Sequence, residues 1–174
     1  MDNWSQHLYF FIIPMILANV SHMILVKKDW LASLCIPLAS KALGANKTWR
    51  GFIVLPALSA VFVWLFSFWR GPFLDTHGYD LLAGFGFGLV YLLAELPNSW
   101  VKRSLGIANG THSKKYKGLQ VFIDKSDSLV GMLIFYYALG QININDILLL
   151  FFIALGISLS ISYILYSFKL KKSI

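Results

Sequence analysis

The sequence predicts an all-α integral membrane protein with about five transmembrane helices and a cytoplasmic re-entrant or interfacial segment. Its 174 residues are 57% hydrophobic, with a mean hydropathy of +0.66, and a water-soluble core of this size cannot bury so much apolar surface. Five segments meet or approach the roughly 20 apolar residues that a helix needs to cross the hydrocarbon. All but one of the Lys and Arg residues fall in three stretches that lie on one side if these segments cross a bilayer.

The five apolar segments set the expected helices. They run roughly from Leu8 to Val26, Gly51 to Trp69, Tyr79 to Leu96, Ser128 to Gly140 and Ile147 to Phe168. The fourth has the shortest apolar stretch. Between the first two, the apolar run from Trp30 to Ser40 is too short to cross, which indicates a re-entrant or interfacial segment. Neither a repeat nor a linker divides the chain, so residues 1–174 are interpreted as one domain.

The basic stretches predict the orientation. By the positive-inside rule, the protein lies in the cell (inner) membrane with residues 27–50, 102–125 and 169–172 on the cytoplasmic side. The N-terminus then lies outside. Residues 1–7 contain no Lys or Arg, so the first span is not interpreted as a cleaved signal peptide. The single cysteine, Cys35, excludes an intrachain disulfide or a cysteine-based metal cluster. The net charge of +7 fits either anionic headgroups or an anionic substrate.

Two of the spans carry polar or small residues at helical spacing. Gly84 and Gly88 share one face and allow close helix approach, either within the chain or in a homodimer. The same stripe reaches Glu95, which should face the interior near the cytoplasmic end, where an intramembrane carboxylate is a functional candidate. In the first span, Asn19 and His22 share a face and fit either a helix contact or a substrate or headgroup contact.

Cations precede the second span and follow the third. The segment 43–52 holds two cations, a hydroxyl and an amide, which fit either phosphate binding or a membrane anchor. These residues are Asn46, Lys47, Thr48 and Arg50. The segment 95–107 leads from Glu95 to the basic pair Lys102 and Arg103, with Ser99 between them.

A pair of carboxylates stands before the fourth span. Asp124 and Asp127 are three apart, so in a helix both point to one side. A shared divalent cation would relieve their repulsion, although acidic residues also cap helix starts. Together with Glu95 and the cations, they form the inventory of a phosphoryl or nucleotidyl transfer site. The sequence has no Walker-type motif and no Rossmann fingerprint in a βαβ setting, which excludes a soluble nucleotide-binding fold.

Three motifs resemble the membrane-embedded CTP-dependent cytidylyltransferases. The segments S-x-x-K-R-x-x-G-I at 99–107 and D-K-x-D-S at 124–128 are similar to the S-x-x-K-R and D-R-x-D-S of phosphatidate cytidylyltransferases. The short chain and L-G-x-N-K-T-W-R-G-F at 43–52 are more similar to the CDP-archaeol synthase family, which has five transmembrane helices. Asn19 is a weaker fourth match. Two positions depart from these patterns: Lys117 to Val121 replaces an H-G-G motif, and Ser128 stands where the archaeal enzymes have an aromatic residue.

The resemblance implies a reaction in which CTP and a membrane lipid phosphate give a CDP-lipid and pyrophosphate, with Mg²⁺ as cofactor. Asp124 and Asp127 would bind the metal, with Glu95 as a further ligand, and Lys102 and Arg103 would hold phosphates as catalytic residues. Substrate binding would fall to Asn19, Asn46, Lys47, Thr48, Arg50 and Ser99. The expected partners are CTP, the lipid phosphate and the bilayer, and no nucleic acid. The alternative is a small transporter or an anionic-lipid-binding scaffold without enzymatic activity.

Overall fold

The computed structural model describes residues 3–108 and 117–168, and helices make up most of both ranges. The long helices are α2 (Ile13–Lys27), α4 (Trp49–Arg70), α5 (His77–Ser104), α6 (Lys117–Ala138) and α7 (Ile144–Ser167). The short elements are α1 (Asn3–Gln6), a π-helical segment (His7–Ile12), a 3-10 turn (Ala32–Leu34) and α3 (Ser40–Leu43). The basic residues Lys114 and Lys115 and those at 169–172 lie outside the described residues.

Four helical segments are long and apolar enough to cross a membrane, which confirms the all-α membrane class. They are Trp4–Lys27, Trp49–Arg70, His77–Ser104 and Ile144–Ser167. Most of the remaining predicted segment, residues 128–138 of 128–140, lies within α6. This helix begins at Lys117, eleven residues earlier than the apolar pattern indicates, since Asp124, Lys125 and Asp127 interrupt the pattern but not the helix. At 22 residues α6 is long enough to cross, but these three charges make it less apolar than the four segments.

The long helices form an up-and-down bundle. The most extensive packing is between α4 and α5, followed by α5 with α6, α2 with α4, and α6 with α7. In its core, Phe11 stacks on Tyr136 at 5.1 Å between ring centroids, and Phe87 packs edge-on against both rings. We call the end where α2 and α5 finish and α4 and α6 begin the basic end.

The glycine stripe of α5 packs inside the chain. A Cβ on Gly88 would lie 2.5 Å from the Pro56 Cα of α4, and one on Gly84 would lie 2.8 Å from the Ala60 Cα. Both distances are too short for a real side chain, and the obstructing atoms are backbone. The sequence allows this stripe to serve a helix contact either within the chain or in a homodimer. In the structure, Gly84 and Gly88 serve the α4–α5 contact within the chain.

The segment between α2 and α4 contains no long helix. Leu31 adopts a left-handed backbone conformation, with φ of 56°, and an isolated bridge joins Pro37 to Thr48. Trp30 is 56% exposed and Ile36 58% exposed. The run at 30–40 is therefore an irregular, exposed connection that does not cross the bundle, as its length predicts.

Helix α5 continues beyond Leu96, where the sequence predicts its end. It runs through Pro97 to Ser104 and is 28 residues long, about 42 Å at 1.5 Å per residue. Proline is tolerated in such helices where the surrounding protein satisfies the freed backbone groups. The extension carries Asn98, Lys102 and Arg103 on the same continuous helix as Gly88.

Candidate active site at the basic end

Asn98 connects the two aspartates of α6 to α5. Its Nδ2 donates to Asp124 Oδ1 at 2.7 Å and to Asp127 Oδ2 at 2.8 Å. Both carboxylates therefore point toward α5 and converge on one position, as their three-residue spacing predicts. The Asn98 amide occupies the position between them in the described structure.

Two lysines pair with carboxylates across helices. Lys47, just before α4, donates to Glu95 of α5, and Lys102 of α5 donates to Asp124 of α6. The side chains of Lys47 and Glu95 are 20% and 19% exposed, and those of Lys102 and Asp124 are 16% and 23% exposed. Attraction between charges this far out of water is stronger than between exposed ones. These pairs therefore bring three separate parts of the chain together at one site.

Ser128 joins the two halves of this cluster. Its Oγ lies 3.1 Å from Glu95 Oε1 and 3.0 Å from Asp127 Oδ1, and its backbone N–H donates to Asp127 Oδ1 at 2.6 Å. Ser128 is 2% exposed. The position that the archaeal pattern gives to an aromatic residue thus holds a small hydroxyl that links Glu95 to Asp127.

Burial changes the pKa of Asp127, a residue that lies outside the four candidate spans. Loss of solvent raises the pKa of this carboxyl, the hydrogen bond from Asn98 lowers it, and the charge of Glu95 raises it further. The net direction is upward. An added cation beside Asp127 would favour its charged form.

The start of α4 is organised around Arg50 and Thr48. Thr48 caps the helix by accepting from the backbone N–H of Gly51 at 3.4 Å. Arg50 is 7% exposed; its Nη1 donates to Asp29 Oδ1 at 2.9 Å and to the Trp30 carbonyl at 3.2 Å. Thr48 therefore has a structural function as a cap, and the guanidinium of Arg50 is held against the preceding loop.

The other predicted residues lie around this cluster. Asn19 is half-buried, and its Nδ2 donates to the Met15 carbonyl of its own helix at 3.1 Å. Asn46 is exposed in the turn before Lys47, and Ser99 and Arg103 are half-buried on the extension of α5. Their assignment to substrate binding or catalysis stays a prediction.

The metal assignment rests on two carboxylates. Within residues 3–108 and 117–168, no group of three or more His, Cys, Asp or Glu side chains is arranged to hold a metal ion. Glu95 pairs with Lys47 instead, and its function as a ligand stays a prediction. Asp124 and Asp127 nevertheless fit Mg²⁺, because this ion is commonly held by one or two carboxylates, waters and substrate phosphates. Their convergence on Asn98 Nδ2 shows that one oxygen of each carboxylate faces the same point.

The structure also places here three residues outside the predicted site, although the spacing of His22 with Asn19 left a substrate or headgroup contact open for His22. Asn98 and Ser128 make the contacts described above, and His22 of α2 lies beside Gly51 and within electrostatic range of Arg50 and Glu95. Asn98 lies one helical turn before Lys102, a spacing that predicts a shared face. The contacts of Ser128 and His22 with distant parts of the chain leave no comparable signal in a single sequence.

Comparison with known protein families identifies a match over most of the chain. A family model described as CarS-like, CDP-archaeol synthase, matches residues 5–174, essentially the whole chain. No curated protein and no solved structure matches the chain.

Proposed function

The chain belongs to the CDP-archaeol synthase family, and from this premise we propose that it transfers the cytidylyl group of CTP to a membrane lipid phosphate. The products are a CDP-activated lipid and pyrophosphate. The observation that supports this proposal best is the half-buried cluster in which Asn98 bridges Asp124 and Asp127 while Lys47 and Lys102 pair with neighbouring carboxylates. Carboxylates buried among the cations would weaken a surface that only attracts anionic headgroups.

In the proposed reaction, an oxygen of the lipid phosphate attacks the α-phosphorus of CTP. A new phosphorus–oxygen bond forms, the bond between the α-phosphorus and the β-phosphate oxygen breaks, and pyrophosphate leaves with the electron pair. The attacking phosphate is already ionised at neutral pH, so the step needs no general base. The task left to the protein is positioning and charge stabilisation.

Different charged residues would contribute to positioning the substrates and to stabilising the phosphate charges. Lys102 and Arg103, on the end of α5, are placed to hold the triphosphate, and Lys47 and Arg50 are placed to complete an anion site at the start of α4. Asp124 and Asp127 would hold Mg²⁺. When bound, this ion supplies positive charge that offsets the charge on the phosphate oxygens. An anion that binds Lys47 would displace Glu95, and one that binds Lys102 would displace Asp124.

We also propose that the basic end faces the cytoplasm, where CTP is available. Lys27, Lys28 and Lys41 lie at this end, and Arg70 lies at the other. The excess of Lys and Arg at the basic end favours this orientation under the positive-inside rule. The site would then lie where a water-borne nucleotide meets a lipid headgroup.

The decisive experiment supplies purified protein with labelled CTP, Mg²⁺ and a panel of lipid phosphates. The panel includes ether-linked isoprenoid and ester-linked acyl chains, because the helices do not reveal which chain type is preferred. We expect labelled CDP-lipid from at least one member. If none reacts under conditions where a proven family member does, the enzymatic function is wrong and a headgroup-binding scaffold or transporter becomes the better hypothesis.

A further inference from the structure

Two buried nitrogen atoms near the start of α4 have no hydrogen-bond partner among residues 3–108 and 117–168. They are Nε2 of His22, on α2, and Nε of Arg50, on α4. Buried polar atoms are nearly always paired in folded proteins, and an unpaired one costs folding free energy. Two such atoms in one region therefore indicate a site where a ligand supplies the missing hydrogen-bond partners.

The two side chains lie close together. A Cβ built on Gly51, the residue after Arg50, would lie 3.9 Å from Nε2 of His22, so His22 lies against the first turn of α4. The contacts of Arg50 Nη1 with Asp29 and the Trp30 carbonyl hold its guanidinium in place. The unpaired atoms thus belong to side chains that both lie at the first turn of α4.

This chemistry fits a phosphate. Arginine presents a cationic fork of N–H groups, a histidine nitrogen can donate, and the start of the 22-residue α4 favours negative charge. Arg50 is 7% exposed, so an anion bound there would be largely removed from water. The ligand class is an anion with several strong acceptor oxygens.

Depth in the membrane separates the lipid phosphate from the nucleotide. His22 lies five residues before the end of α2, about 7.5 Å along the helix axis, and within the candidate span Trp4–Lys27. Lys102 and Arg103 lie on the extension of α5 beyond Pro97. The His22 side of the site is therefore nearer the boundary between the headgroups and the hydrocarbon, the depth at which the phosphate of a lipid lies.

We propose that His22 and Arg50 bind the phosphomonoester of the lipid substrate at the start of α4, whereas Asp124 and Asp127 lie on α6. The inference rests on the proposed function and extends it by giving the two substrates separate phosphate sites. His22 is a binding residue that donates from Nε2 to a phosphate oxygen, and Arg50 supplies the charge.

The kinetic test compares His22→Leu, which removes the donor, with His22→Gln, which can keep an N–H in reach. We expect His22→Leu to raise KM for the lipid phosphate about tenfold, the loss typical of one hydrogen bond to a charged group, without changing KM for CTP. His22→Gln should recover most of the affinity. His77→Gln, at the other end of the bundle, is the matched control and should behave as wild type. An increase in KM for CTP, or unchanged KM for both substrates, would overturn the assignment.

A binding measurement separates this inference from the proposed function. Protein in phosphatidylcholine nanodiscs is melted with added phosphatidate, phosphatidylglycerol or diacylglycerol. Phosphatidate should raise the melting temperature of the wild type most, and His22→Leu should lose this increase while its melting temperature without ligand stays normal. If the wild type shows this behaviour but makes no CDP-lipid, the phosphate site stands and the enzymatic function fails. If turnover occurs and the increase persists in His22→Leu, the inference fails.

Discussion

Lys47 and Glu95 form an ion pair that joins the turn before α4 to α5, across 48 positions of the sequence. About four-fifths of each side chain is buried. Glu95 Oε1 also lies 3.1 Å from the Ser128 hydroxyl, so this carboxylate of α5 connects the turn before α4 to the charged turns of α6. Its removal should affect both folding and the arrangement of the site.

Glu95→Gln should destabilise the protein by about 1–2 kcal/mol, because it leaves Lys47 partly buried without its counter-charge. The exchanged pair Lys47→Glu with Glu95→Lys should recover part of this stability, since the ion pair is re-formed. It should not recover turnover, because the cation then stands on the wrong helix to meet a phosphate. Thermal unfolding and CDP-lipid formation measure the two effects. Normal turnover in the exchanged variant would limit the pair to a structural function.

Asp127→Asn should lower turnover by about 100-fold or more while the protein still folds, because the amide keeps the shape of the carboxylate and removes its charge. Asp75→Asn, in the exposed loop at the other end of the bundle, is the control and should retain normal activity. Turnover is measured over a range of Mg²⁺ concentrations, and folding by thermal melting. Near-normal rates in Asp127→Asn would remove this residue from the metal site.

Gly88→Ala should destabilise the protein by about 1–3 kcal/mol, because the new methyl group meets the backbone of Pro56 at 2.5 Å and neither helix can yield locally. Gly156→Ala is the matched control: it lies within α7 and a Cβ there has no neighbour within 4 Å among the described residues. Its expected effect is neutral or stabilising by up to about 1 kcal/mol. Equal melting temperatures for the two variants would contradict the tight α4–α5 contact.

The single cysteine provides a test of orientation. Cys35 is exposed and lies in the connection between α2 and α4, at the basic end. If that end is cytoplasmic, a membrane-impermeant maleimide should label Cys35 only after cells are permeabilised. Cys35→Ser combined with Asp75→Cys is the opposite control and should be labelled in intact cells. Labelling of Cys35 without permeabilisation would reverse the proposed topology.

The helices were largely predictable because lipid requires long apolar segments. Residues 51–69 and 147–168 coincide closely with α4 and α7 for this reason. The start of α6 was less predictable: its first turns carry the charges of the candidate site, which interrupt the apolar pattern without interrupting the helix. Pro97 similarly predicts that α5 ends near Leu96, whereas the helix continues through Pro97 to Ser104.

The members of the candidate site were predictable where helical spacing brings residues together. The spacing of Asp124 and Asp127 places both on one face, and the contacts of Asn98 confirm that they point the same way. The pairing of Lys47 with Glu95 depends on how α4 and α5 pack, which one sequence does not specify. His22 Nε2 has no hydrogen-bond partner among the described residues, and its position against α4 depends on helix packing, so only the three-dimensional structure reveals it.

The glycine contact also determines a dimension of the site. Gly88 and Glu95 lie seven residues apart on α5, two helical turns or about 10.5 Å along its axis. The missing side chain at position 88 lets α4 and α5 approach until backbone meets backbone, and that separation is transmitted along α5 to the gap that Lys47 and Glu95 span. The absence of a side chain at Gly88 therefore helps to set the distance that the Lys47–Glu95 ion pair spans two helical turns away.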